Sequence, residues 1–209
     1  MSFLHEAIPM IMTTKSLFSL TILLSLSLGC RESADESSHS VLSGDWVSDC
    51  FPNSTLHPSS IITYSFDDEH GVVRTQDLFT DSNCQTLAGQ LIHSGDYALE
   101  VRQEISLFNV DFEFTKVVAK VETNDGLQLW TSEKFCAVHD WSSNPSRDLT
   151  ASPETGCMTY GTAKVEYRDL VEVDGENQII FGASLSPLIP RPSTIEPDKT
   201  ERIFKARRP

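Results

Sequence analysis

Apolar side chains recur at every second position through much of this chain, in short runs broken by turn residues. Ile62, Tyr64 and Phe66 alternate with Thr63 and Ser65. That is the period of a strand with one face in a core. Asp67-Asp68-Glu69-His70-Gly71 then reads as an acidic turn, and Val72 to Thr80 as the returning strand. Tyr97, Leu99 and Val101 repeat the alternation. Val110, Phe112 and Phe114 share one face, and Val117, Ala119 and Val121 take it over after a one-residue slip near Lys116. Such a slip predicts a β-bulge. Asn124-Asp125-Gly126 reads as a hairpin turn into Leu127, Leu129 and Thr131. Asp174-Gly175 is a second hairpin signal, between Val165–Val173 and Gln178–Gly182.

No helical period is sustained beyond the first 29 residues. The expected fold is therefore all-β: an antiparallel β-barrel of about 8–10 strands over residues 44–209. A barrel removes exposed sheet edges. Two stretches interrupt the alternation. From Asp140 to Gly156 the chain is rich in Ser, Asn, Asp and Pro, and predicts a long surface loop. From Leu185 to Lys199 it carries Pro187, Pro190, Pro192 and Pro197, and predicts extended, irregular backbone. Glu201 to Lys205 follows as a closing strand, and the basic end of the chain as solvated.

Residues 1–29 follow different rules. Lys15 supplies positive charge, and Leu17 to Leu28 forms a leucine-rich run ending in Gly29-Cys30. A basic start, an apolar stretch of roughly 7–15 residues and a small residue at the cut describe an export signal helix. A membrane span needs about 20 residues. Ser27-Leu28-Gly29-Cys30 resembles the lipobox of bacterial lipoproteins, which implies cleavage before Cys30 and lipidation of its thiol. Arg31 to Ser40 is polar and too poor in apolar residues to bury a core face, and residues 30–43 are expected to form a flexible tether. Arg31 rather than aspartate follows the cysteine, which in that family favours the outer membrane. The expected location is the cell envelope, held to the membrane by lipid.

The chain has five cysteines. With Cys30 lipidated, Cys50, Cys84, Cys136 and Cys157 remain, and three pairings are open to them. Joining neighbours in sequence gives Cys50–Cys84 and Cys136–Cys157. Each bridge would stabilise the fold by roughly 3–4 kcal/mol in chain-entropy terms. The second would tie the base of the Asp140–Gly156 loop. The net charge of −14 argues against nucleic acid as a partner.

Gly44-Asp45-Trp46 opens the first strand and resembles the Gly-x-Trp of lipocalins. That resemblance implies that Trp46 plugs one barrel end, with Arg202 of the last strand packed over it. A longer pattern runs from Gly44-Asp-Trp46-Val-Ser48-Asp-Cys50 through Asp81-Ser-Asn-Cys84 to Gly95-Asp-Tyr97. It resembles uncharacterised bacterial lipoproteins. It is also similar to the repeated ectodomain unit of the adenomatosis polyposis coli down-regulated family of membrane-anchored Wnt inhibitors. Ile180-Phe181-Gly182 and Arg191-Pro192 add to the bacterial likeness. The resemblance implies a lipocalin-like barrel and supports the Cys50–Cys84 pairing.

Motifs for chemistry are sparse. Gly-x-Ser-x-Gly, His-Glu-x-x-His and a glycine-rich phosphate loop are all missing from the sequence. Cys136-Ala-Val-His139 has a ligand-like spacing but no second compact pair to complete a zinc site. Asp67-Asp68-Glu69 lacks the spaced ligands of a calcium loop. The expectation is a non-catalytic module without cofactor or metal, which binds an apolar small molecule or lipid. The alternative is a filled barrel whose loops bind an envelope protein.

Overall fold

A computed structural model describes residues 41–102, 106–150, 165–175, 177–182, 195 and 202–207. The export signal, Cys30, most of the tether, Cys157 and nearly all of the proline-rich stretch lie outside these residues. The strands are β1 (Gly44–Ser48), β2 (Phe51–Pro52), β3 (Ser59–Phe66), β4 (Gly71–Phe79), β5 (Leu87–Val101) and β6 (Leu107–Val121). After helix α1 (Asn124–Ser132) and a 3₁₀ turn (Phe135–Ala137) come β7 (Ser146–Asp148), β8 (Val165–Asp174), β9 (Gln178–Phe181) and β10 (Ile203–Ala206).

Eight of these strands close a barrel in the order β1-β3-β4-β5-β6-β8-β9-β10, all antiparallel. Closure falls on β1. Trp46 pairs with Tyr64 on one side and with Ala206 on the other. Two short strands stay outside the ring: β2 pairs with β3, and β7 with β6. The predicted closing strand is thus present, as are the turn at Asp67–Gly71 and the hairpin at Asp174-Gly175. In the acidic turn Asp67 accepts backbone N–H bonds from Glu69 and Gly71. Gly175 has φ of +68°, a left-handed conformation that favours glycine.

The predicted bulge lies one residue before Lys116. Ser94 pairs with Lys116 and Gly95 with Phe114, so Thr115 has no partner in the ladder. Gly95 permits the close approach, because a Cβ there would overlap the Glu113 carbonyl. The slip keeps the apolar face inward across the whole of β6: Phe112, Phe114, Val117 and Ala119 are all buried.

Two expectations are corrected. Asn124-Asp125-Gly126 is the first turn of a helix, not of a hairpin. Thr123 caps it, with Oγ1 accepting from Gly126 N at 3.0 Å and donating to Leu87 O at 2.7 Å. That N-cap satisfies a backbone donor that a helix start leaves open. Asp125 adds favourable charge in the first turn. Gly126 lies against Ala88, whose backbone a side chain there would strike. Trp130 is the helix's fully buried residue, and Leu127 and Leu129 pack only partly against the core. The second correction concerns the stretch after Asp140. Its described part lies mostly at the surface, as expected, but Trp141 and Leu149 are buried, and β7 extends the sheet along Val118 to Lys120.

Candidate functional site

The barrel interior is built in tiers. The first is aromatic. Tyr64 of β3 lies 5.8 Å from Phe112 of β6, 5.0 Å from Phe181 of β9 and 5.3 Å from Phe204 of β10, between ring centroids. These strands stand on different sides of the ring, so aromatic side chains meet across the barrel. Phe66 joins Tyr97 at 4.9 Å, and Phe114 joins Tyr167 at 5.5 Å. Edge-to-face and offset pairs of this kind contribute about 0.5–1.5 kcal/mol each beyond area burial.

The second tier is polar. Inward parity on β4 runs Val72, Arg74, Gln76, Leu78, and the register sets Arg74 between Tyr64 and His93. Arg74 is 9 % exposed and His93 1 %. Arg74 Nη1 lies 3.5 Å from His93 Nδ1, and Nη2 donates to Gln76 Oε1 at 3.3 Å. The Gln76 amide nitrogen in turn donates to Ser60 Oγ at 3.2 Å. Burial holds His93 well below its usual range, at about 3, helped by the Arg74 charge and opposed by the Arg74 backbone. His93 is therefore neutral, and can accept from a guanidinium that only donates. Arg74 Nε is buried without a partner. No carboxylate pairs with this guanidinium among the described residues. A buried unpaired charge costs roughly several kcal/mol.

The third tier caps the barrel at the α1 end. Trp130 stacks on Phe135 at 4.2 Å and meets Trp141 edge-on at 4.7 Å. Its indole reaches into the barrel mouth, where a Cβ on Gly89 would come within 2.6 Å of the ring. Trp130 Nε1 donates to His57 Nε2 at 3.2 Å. That bond fixes the His57 proton on Nδ1. Burial lowers His57 to about 4, against a weaker upward pull from the Phe79 backbone. The Arg147 guanidinium lies 5.7 Å above the Trp141 ring.

The residues expected from sequence fall around these tiers. Cys50 and Cys84 are bonded, which ties the β1–β2 link to the β4–β5 loop. Cys136 is also disulfide-bonded; its expected partner Cys157 lies outside the described residues. Trp46 is buried, and its Nε1 donates to Leu42 O at 2.8 Å. Arg202 donates to Gly182 O at 2.5 Å, four residues before the Ala206 that pairs with Trp46. An open hollow of about 350 Å³ lies on the outer wall, between Asp96, Asp111, Glu113 and Arg168. Its rim is charged and solvent-facing, unlike the buried tiers of the interior.

Sequence reasoning passed over Arg74, His93 and Gln76. A signal was present: Val72-x-Arg74-x-Gln76-x-Leu78 places a charged and a polar residue at inward parity. Compared with known proteins, the sequence matches no protein-family model and no curated protein.

Proposed function

We propose that this chain is a lipid-anchored protein of the cell envelope, whose barrel is a non-catalytic container for an apolar small molecule or lipid. The observation that carries the reading is the inward face of the closed eight-strand ring. It is largely apolar and rich in aromatic side chains, broken by the Arg74–His93–Gln76 group, and capped at one end by Trp130. A barrel of about eight strands is wide enough for its own side chains or for one small ligand. The anchor is lipid on Cys30, and Arg31 after it directs the protein to the outer membrane. The acidic balance of the chain fits a partner other than nucleic acid.

Two measurements test this. The full-length chain, purified from membranes, is extracted for co-purifying lipid and titrated with a neutral fluorescent hydrophobe. Bound lipid or saturable one-to-one binding is expected; the lack of both would sink the container reading. Mass spectrometry of the mature N-terminus tests the anchor, and an unmodified Cys30 would overturn it.

A second reading has its own observation. Rings meeting from opposite walls, as Tyr64 and Phe112 do, fill that level of the barrel. A wholly filled barrel would act through its loops on an envelope protein. Failure to take up any hydrophobe, with retention of a protein partner, would favour it.

A further inference from the structure

Resting on the container reading, we infer that Arg74 anchors the carboxylate head of a single-chain amphiphile, such as a long-chain fatty acid. Its tail lies along the neighbouring apolar and aromatic side chains. The starting point is a charge without a counter-charge. Arginine cannot shed its proton to escape a dry interior. Most buried charges are neutralised by a partner acid. Arg74 is nine-tenths buried, and its bonds run only to the neutral groups of His93 and Gln76. Asp169, the other buried charged side chain among the described residues, forms no ion pair with it.

The geometry around the guanidinium is that of a held donor, not a stray one. His93 steadies one terminal nitrogen, and Gln76, itself steadied by Ser60, holds the other. Of five N–H donors two are engaged, and the Nε–H is buried and unspent. Nε–H and Nη2, which also donates to Gln76, share one edge of the guanidinium plane. That edge matches the two oxygens of a carboxylate, which gives the bidentate pairing arginine favours. The charge balance selects the class of anion. One unpaired cation beside a neutral histidine matches a single negative charge. The surroundings select the rest of the molecule. Phe114 lies 5.4 Å from the His93 ring, and Ile62, Leu91 and Val117 share the inward face around it.

The test is a titration of the full-length chain with cis-parinaric acid and, in parallel, with its methyl ester. The wild-type protein is expected to bind the acid about ten- to a hundredfold more tightly, as a charge-assisted bond predicts. Arg74→Met is expected to erase that preference while leaving ester affinity within about twofold, the apolar surface being unchanged. Arg74→Lys, which keeps the charge and loses the fork, should fall between. Equal wild-type affinity for acid and ester would overturn the anchor and leave the container standing. So would an Arg74→Met protein that still prefers the acid. Binding of neither probe would overturn both. The acid–ester comparison needs only wild-type protein, so it decides the matter even if a variant fails to fold. Competition by a lysophospholipid or inorganic phosphate in preference to a fatty acid would overturn the carboxylate assignment.

Discussion

The aromatic tier and the polar tier occupy the same barrel, yet they follow opposite rules. Around Tyr64 the rings of Phe66, Phe112, Phe181 and Phe204 meet its own, and the gain is in packing. Around Arg74 a charge, an imidazole, an amide and a hydroxyl are buried together, and the Nε–H of the guanidinium remains unspent. The first arrangement stabilises the fold with no partner. The second destabilises it until something completes it. The contrast teaches where in this barrel stability ends and function begins: sites are commonly where local rules of foldability are broken.

Acid should break the contrast most strongly. His57 and His93 are held neutral in the fold at about 4 and about 3, below the 6.5 of an exposed histidine. The unfolded chain therefore takes up more protons as pH falls from about 6.5 toward 4, and stability falls with it. Each histidine loses about 1.4 kcal/mol per pH unit within that window, or about 3 kcal/mol by pH 4. Denaturant titrations across this range should show the slope, and a His57→Gln, His93→Gln protein should flatten it. An unchanged slope would mean that neither ring is buried neutral.

Next in size, Phe112→Ala should destabilise by about 3–5 kcal/mol, because it opens a cavity where three rings from two other strands meet. Urea midpoints read this directly. A loss below about 1 kcal/mol would show a loosely filled tier, open to ligand. Arg74→Met should move the other way, and raise the stability of ligand-free protein by about 1–2 kcal/mol. Thermal unfolding of delipidated protein checks the sign; a lower Tm would mean that Arg74 serves the fold. Smallest is Thr123→Ala. Loss of the N-cap should cost about 1 kcal/mol and loosen the Trp130 lid, seen as faster amide exchange in α1.

Much of the barrel was legible because alternation is a local signal. Ile62, Tyr64 and Phe66 announce an inward face, and the phase slip near Lys116 announces the bulge within one residue. The helix was not legible. Only Trp130 of its nine residues is a large, fully buried side chain, too few to set a helical period, and Asn-Asp-Gly is also the commonest hairpin spelling. Its glycine fits against Ala88, far away in sequence, a contact that no local pattern shows. The site was half legible. Parity places Arg74 inward, but whether an acid stands opposite depends on the register of β5 and β6, where His93 and Val117 come up instead.

The pairing of Trp46 with both Tyr64 and Ala206 has a consequence in time. β1 and β10 lie far apart in the sequence, so the contact that closes the ring is among the most non-local in the chain, and such contacts form slowly. A chain delivered N-terminus first exposes β1 long before β10 exists to cover it. Until then β1 has one bare edge and β9 another, each able to capture a strand from another molecule. The Cys50–Cys84 bond lies wholly within the part that emerges early. It can lock the β1–β5 half in register while the seam waits for its last strand.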